Sequence, residues 1–202
     1  MGHPVDFHKM HVRLCESCHL CGVALTLCRE NIKRDGLEDL LGWLQKSDFF
    51  TAPASTRYHG AYEGGLCEHS LDVYHMAKKA IAGYELELTE ESVVVATLFH
   101  DLCKVNFYKK DVRNQKINGT WQEVPCYTIE EKYCFGGHGS KSVYLVQQFM
   151  KLKTDEAAAI NCHMGATSGG DSVRDTSNAY AAFLLAWVTH VADEAATYLL
   201  KR

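Results

Sequence analysis

The apolar positions of this chain follow a helical period over most of its length. In residues 35–45 (DGLEDLLGWLQ), Leu37, Leu40, Leu41 and Leu44 fall three or four residues apart, which lines them along one helical face. Residues 66–84 repeat the pattern, with Leu71, Tyr74, Ala77 and Ile81 as the predicted inner face. A further helix is expected through SVVVATLFHD. Thr89 is placed to cap it, and Glu90 and Glu91 sit in its first turn, the end at which acidic side chains are favoured. GSKSVYLVQQFMKL and TDEAAAINCHM continue the series, the latter with Thr154 as its expected N-cap, and AYAAFLLAWVTHVADEAATYLL closes it. Two stretches lack the period and are read as loops. One is KSDFFTAPASTRYHGAYEGG, and the other is the Gly- and Asp-rich GATSGGDSVRDTSN before the last helix. Between residues 106 and 135 the rhythm changes: FYKKDVRNQKI and TWQEVPCYTI flank Asn118-Gly119, a pair that favours a two-residue hairpin turn. The expected class is mainly α with one inserted small β-hairpin, in a single domain over 1–202 whose hairpin insertion covers 106–135.

Residues 1–33 are read as a Cys-rich helical extension. Cys15, Cys18, Cys21 and Cys28 are spaced three, three and seven residues apart, which places them near one face of a helix. That favours packed thiols over a zinc site, which wants close pairs separated by a loop; the zinc reading stays open. The chain has nine cysteines, an odd number, and Cys67, Cys103, Cys126, Cys134 and Cys162 sit among apolar neighbours as small core residues. Thiols and the absence of a secretory or membrane-spanning pattern lead to an expectation of cytoplasmic residence and no membrane partner. The formal charge of −4 does not favour broad binding to nucleic acid.

Candidate chemistry centres on the doublet His100-Asp101, set at the end of an apolar run where a charge must be paired or bound to a metal. His69 (GGLCEHSL), His138 (GGHGSKS), His163 (NCHMG) and Asp193 (THVADEAA) supply further imidazole and carboxylate groups, a donor set suited to a transition metal or a magnesium-like ion. There is no credible nucleophilic triad.

The ordered set GGLCEHSL, HDLCK, GH with a serine two residues later, HMG, and a terminal helix with VADE resembles the HD-domain superfamily of metal-dependent phosphohydrolases, over about residues 55–200. RYHGAYEGGLCEHSLDVYHMA is similar to the HD domain of certain bacterial 3′-to-5′ exoribonucleases and to compact stand-alone HD hydrolases of bacteria and phages. The resemblance implies an HD-domain helical bundle and one or two divalent ions: manganese, iron, cobalt, zinc or magnesium. It implies His69, His100, Asp101 and Asp193 as ligands of the principal metal, with Asp101 bridging to a second. His138 and His163 match histidines that hold the second metal or contact phosphate, and Lys104 matches a basic residue kept after the doublet. A bound ion lowers the pKa of water toward neutrality and polarises a phosphoryl oxygen, and Lys104 is placed to neutralise phosphate charge. Asp101 and Lys104 are therefore the expected catalytic residues. Cys103 stands where relatives usually carry a small residue, often glycine, and no effect on chemistry is expected.

Other residues are weighed against blander roles. His59 is expected either to line the substrate pocket or to be an ordinary loop residue. Arg57, Lys141, Lys109 and Arg174 are candidate phosphate contacts, although the cluster Lys109, Lys110 and Arg113 also suits a solvated hairpin face. Glu68 and Asp72 are read as solvated helix positions. His190, one turn before Asp193, is expected to flank the site at most, and Trp121 is the one tryptophan placed to stack on a base. The expected function is hydrolysis of a phosphoester in a nucleotide or short oligonucleotide, with single-stranded nucleic acid as a further partner. The alternative is a non-catalytic metal- and nucleotide-binding regulatory module.

Overall fold

The computed structural model of the protein describes residues 19–131, 137–166 and 171–200. Among these, the helices are α1 (His19–Asn31), α2 (Leu37–Lys46), α3 (Gly65–Gly83), α4 (Glu90–Phe99), α5 (His138–Gln147), α6 (Thr154–Cys162), α7 (Asp171–Ala182) and α8 (Leu184–Leu199). A 3-10 turn, Leu102–Lys104, follows α4, and strands β1 (Tyr108–Ile117) and β2 (Thr120–Ile129) pair antiparallel before α5. The expected mainly α class with one inserted hairpin is what the chain forms.

Small side chains set how closely the central helices approach. Val73 and Ala77 of α3, Val93 and Ala96 of α4, Ala159 of α6, and Ala186, Val188 and Ala192 of α8 are all buried in one cluster. With so little bulk between them, α3, α4 and α6 all reach α8. A second, bulkier cluster covers the other side of α4. There Leu37, Leu40, Leu41 and Leu44 of α2 meet Val94, Val95, Leu98 and Phe99 of α4, with Cys21 and Cys28 of α1 in the same core. Burial of each such Leu or Phe contributes roughly 1.5–3 kcal/mol. Burial raises the Cys28 thiol to about 12, so it packs as a neutral apolar group. Cys15, Cys18 and Cys134 lie outside the described residues.

One ionic clamp ties the α1–α2 connection to the central helices. Arg34 forms a two-pronged pair with the fully buried Glu156 of α6, at 2.7 and 2.8 Å. Glu156 also accepts from Ser92 Oγ at 2.8 Å and from the Lys153 backbone N–H at 2.9 Å, so its lone pairs are used. Glu91, in the first turn of α4, takes Arg34 at 2.9 Å and Lys153 at 3.0 Å.

The hairpin turns at Asn118 and Gly119, both at positive φ (50° and 85°), as the Asn-Gly pair requires. Both faces of its strands are largely exposed. A lone two-stranded ribbon is marginal in water. This one is held at its base by the buried Phe107, by the Tyr108 hydroxyl donating to the Ala54 carbonyl, and by a Lys110–Glu63 ion pair at 2.9 Å.

Several expectations are corrected. The segment read as a loop before the last helix contains α7, because Thr176 and Tyr180, one turn apart, give it a buried edge despite its Asp, Ser and Asn content. The expected final helix from Ala179 breaks at Phe183, whose backbone is extended (φ −133°, ψ 100°), leaving Tyr180 on α7 beside α8. Residue 154 is the first of α6 and Lys153 is its N-cap; the Glu156 carboxylate caps the Lys153 N–H instead of a Thr154 hydroxyl. Thr89 is the N-cap of α4 but makes no side-chain capping bond.

Removing Arg34 leaves the fully buried Glu156 carboxylate without its guanidinium partner. Arg34→Ala is expected to lower stability by about 3–5 kcal/mol, read as a fall in the urea midpoint at unchanged slope. The clamp also sets an acid limit. The Arg34 guanidinium holds Glu91 at about 2 against an ordinary 4.5. Burial would raise Glu156, but the same guanidinium holds it below its ordinary value. Both carboxyls bind protons more weakly in the folded state. Their contribution is therefore complete above pH 4.5 and is lost as pH falls toward 2. Arg34→Ala should flatten the decline in thermal midpoint over that window; an unchanged acid profile would contradict this account.

Candidate metal centre

Two helix ends aim the histidines. A helix leaves its last carbonyls without intrahelical partners. At the end of α4 the Nδ1 of His100 lies 2.7 Å from the Thr97 carbonyl, and at the end of α6 the Nδ1 of His163 lies 2.7 Å from the Ile160 carbonyl. A carbonyl only accepts, so Nδ1 carries the proton in both rings and Nε2 presents its lone pair inward. Those two Nε2 atoms, and the Nε2 of His69 on α3, are buried without a hydrogen-bond partner. Each such orphan costs on the order of 1–3 kcal/mol in a sealed interior.

The orphans face two carboxylates. His69 Nε2 stands 3.0 Å from Asp193 Oδ1 and 3.8 Å from Asp101 Oδ2. His100 Nε2 stands 3.4 Å from Asp101 Oδ2 and 4.0 Å from Asp193 Oδ1, and His163 Nε2 is 3.6 Å from Asp101 Oδ1. The close His69–Asp193 approach is not aligned as a hydrogen bond. Donor atoms of His69, His100 and Asp101 all lie within 4.8 Å of one another, as do those of His100, His163 and Asp193. Imidazole and carboxylate donors gathered this closely, with their lone pairs unspent, fit a divalent ion. The second nitrogen of His100 and of His163 is already held by a carbonyl, the arrangement that fixes a metal-binding ring.

The electrostatics agree. Burial would raise the Asp101 carboxyl, but Lys104 and His100 hold it well below the usual carboxylate range. Burial likewise opposes ionisation of Asp193, and His69 and His100 outweigh it. For His100 burial favours the neutral ring, yet the Asp101 and Asp193 carboxylates raise its pKa. Lys104 Nζ lies 2.6 Å from Asp101 Oδ2; burial would lower the ammonium's pKa, and Asp101 raises it. The pocket thus carries a negative field that demands positive charge.

Supporting contacts explain the HMG motif. His190 of α8 donates from Nδ1 to the His163 carbonyl at 2.7 Å, and the Tyr180 ring stacks on His190 at 5.4 Å. Gly165 turns at φ +68°, where an added Cβ would lie 2.9 Å from His190 Cε1, so the turn needs glycine on both counts. His190 therefore touches the backbone that carries His163.

The remaining candidates are placed unevenly. His138, exposed at the start of α5, puts Nδ1 3.2 Å from Cys103 Sγ. His59 packs its ring 4.6 Å from the His69 ring, with both nitrogens buried and unpartnered, and burial lowers its pKa to about 4. Arg57 lines a cleft of about 450 Å³ between the 56–63 loop and the hairpin, with Tyr62, Lys110, Arg113 and Tyr127. Lys109 is exposed and faces Glu130 at 4.0 Å. Lys141 is buried, paired with Glu131 at 3.0 Å and set over the Phe107 ring. Arg174 is exposed on α7. Asp72, expected to be solvated, is buried beside a cavity of about 10 Å³ that His59, Tyr62 and His69 also line. Tyr62 and Tyr127 of the cleft went unnoticed in the sequence, where nothing distinguishes them from packing tyrosines.

The comparisons with known proteins agree with this geometry. The HD-domain family model matches residues 66–197, about two thirds of the chain. The chain belongs to that family, within the superfamily of HD-type metal-dependent phosphohydrolases. A dihydroneopterin 2′,3′-cyclic phosphate phosphodiesterase of Methanocaldococcus jannaschii is 35% identical over 84 residues, which are 39% of this chain and 31% of that protein. The chain thus spans less than a third of the curated relative it matches. No solved structure matches significantly.

If the orphaned Nε2 atoms are metal donors, an ion should stabilise the fold. A free metal concentration of 100 times Kd is expected to add about 2.7 kcal/mol, raising the thermal midpoint by roughly 5–10 °C. Chelation should reverse the rise, and His100→Ala should abolish it. A midpoint indifferent to manganese, zinc, cobalt and chelator alike would contradict the assignment.

Proposed function

We propose that the protein hydrolyses a phosphoester of a small phosphorylated molecule, most specifically a nucleotide or short oligonucleotide. His69, His100, Asp101 and Asp193 hold the principal divalent ion. The observation that carries this reading is the convergence of three buried, unpartnered imidazole nitrogens on two ionised carboxylates. An ion held there would supply a water of near-neutral pKa and polarise a phosphoryl oxygen. Asp101 is the central residue of the proposal because one oxygen faces His69, His100 and Lys104 while the other faces His163. Lys104 is the cation nearest these oxygens, and its role is to offset negative charge that builds on the phosphoryl group.

The cleft between the 56–63 loop and the hairpin supports a nucleotide-like substrate. Arg57 and Arg113 offer phosphate contacts, Lys110 being paired with Glu63 at the cleft wall, and Tyr62 and Tyr127 offer ring faces for a base. Tyr62 borders both this cleft and the small cavity beside His69. The relative named as a cyclic-phosphate phosphodiesterase favours a diester on a heterocycle-bearing small molecule. Trp121, 69% exposed near the hairpin turn, is the feature that favours a longer single strand. No described helix is long and apolar enough to cross a membrane.

The test is hydrolysis of a panel of nucleoside monophosphates, cyclic phosphates and labelled single-stranded RNA, with manganese, cobalt, zinc or magnesium supplied. Turnover on at least one phosphoester is expected. Bound metal without turnover on any of them would leave the non-catalytic binding module instead. Asp101→Ala should abolish turnover and weaken metal binding while far-UV circular dichroism stays unchanged. Lys104→Ala should lower kcat by about 10²–10³-fold with metal content nearly intact. Loss of metal with unaltered kcat per bound ion would remove Lys104 from the chemistry.

A further inference from the structure

Cys103 lies against the far side of Asp101, where the sequence suggested no chemical consequence. Its Sγ is 3.9 Å from Asp101 Oδ1 and 3.2 Å from His138 Nδ1, and the three donor atoms all lie within 4.8 Å of one another. Asp101 Oδ1 is the oxygen turned away from the His69–Lys104 side; His163 Nε2 stands 3.6 Å from it. Two backbone features hold the group in place. Ser142 Oγ accepts the Cys103 N–H at 3.0 Å, tying the 3-10 turn to α5. Gly139 presses the start of α5 against α6, since an added Cβ there would lie 2.1 Å from the Asn161 carbonyl oxygen. His138 is thus carried to the sulfur by the packing of α5 rather than by a chance rotamer.

We propose that the Cys103 thiolate joins His138 and the second oxygen of Asp101 at the second metal position that the family resemblance implies, and that it makes this position take zinc, cobalt or ferrous iron in preference to magnesium. The inference rests on the proposed metal centre, with which it shares Asp101. The donor chemistry sets the preference. Thiolate is a soft ligand, imidazole suits zinc, cobalt and iron, and magnesium takes neither readily. Binding replaces the S–H bond with a metal–sulfur bond and releases the thiol proton to solvent. The sulfur is buried, and metal binding supplies the drive for that loss. His138 is exposed, which leaves solvent or substrate an approach to this position.

The test is cobalt(II) titration of the purified full chain, followed by its near-ultraviolet thiolate-to-cobalt charge-transfer absorption, with zinc content per chain measured in parallel. Other thiols are present, so the signal is the difference between wild type and Cys103→Ala. Wild type is expected to show the band and to bind one more zinc per chain than the variant. His138→Ala replaces an exposed side chain at the start of α5 and should weaken the band while leaving the fold intact by circular dichroism. Magnesium should fail to compete for the position. Equal bands and equal zinc content in wild type and Cys103→Ala, with both folded by circular dichroism, would overturn the inference and leave the phosphohydrolase reading intact. A Cys103-dependent band in a protein inert to every phosphoester would do the reverse.

Discussion

A carboxylate only 2% exposed stays ionised when positive or lone-pair-directing groups surround it, and Asp101 is that carboxylate here. Its two oxygens look in different directions. Lys104 and the His69 and His100 rings stand on one side, His163 and Cys103 on the other. The helices that deliver these groups, α3, α4 and α6, are the ones drawn together by alanine and valine contacts against α8. Larger side chains at those crossings would spread the donors beyond the reach of a shared ion, so core packing and site geometry are one constraint.

The histidines also resolve a problem of helix architecture. The ends of α4 and α6 each leave carbonyls in need of a donor, and the residue at each end is a histidine whose Nδ1 meets that need. The same bond that finishes the helix selects the tautomer and points Nε2 inward. Nothing else in the described structure satisfies those Nε2 atoms, which is the physical ground for proposing a divalent ion among them. Family membership and a phosphodiesterase relative agree with that proposal, although the relative is matched over less than a third of its length.

Much of this was legible before any coordinates. The leucines of α2 carry a strong helical period and Asn118-Gly119 a strong turn signal, and both elements lie where these predict. The donors of the central cluster stood out because histidine and aspartate at the ends of apolar runs are rare without a partner. Elements failed where local signals were weak or misleading. The Asp, Ser and Asn of α7 favour turns, and its buried edge is little more than Thr176 and Tyr180, too few positions to betray a helix. No Pro or Gly marks the break at Phe183, because it serves the docking of Tyr180 on His190 and not a local preference. Asp72 reads as a solvated helix residue, yet it is buried beside a small cavity that His59 and Ala196 also line.

By itself the sequence determined the helical class, the hairpin, and which residue types could gather a cation, since these depend on period, turn chemistry and donor identity. Only the tertiary structure decided how the donors divide around Asp101, because that depends on how closely helices distant in sequence approach. It decided that Arg57, Lys110 and Arg113 share a cleft with two tyrosines while Lys109 and Arg174 face elsewhere. It also brought Cys103 against His138, a contact across 35 positions that no local pattern encodes and that the packing of α5 on α6 enforces.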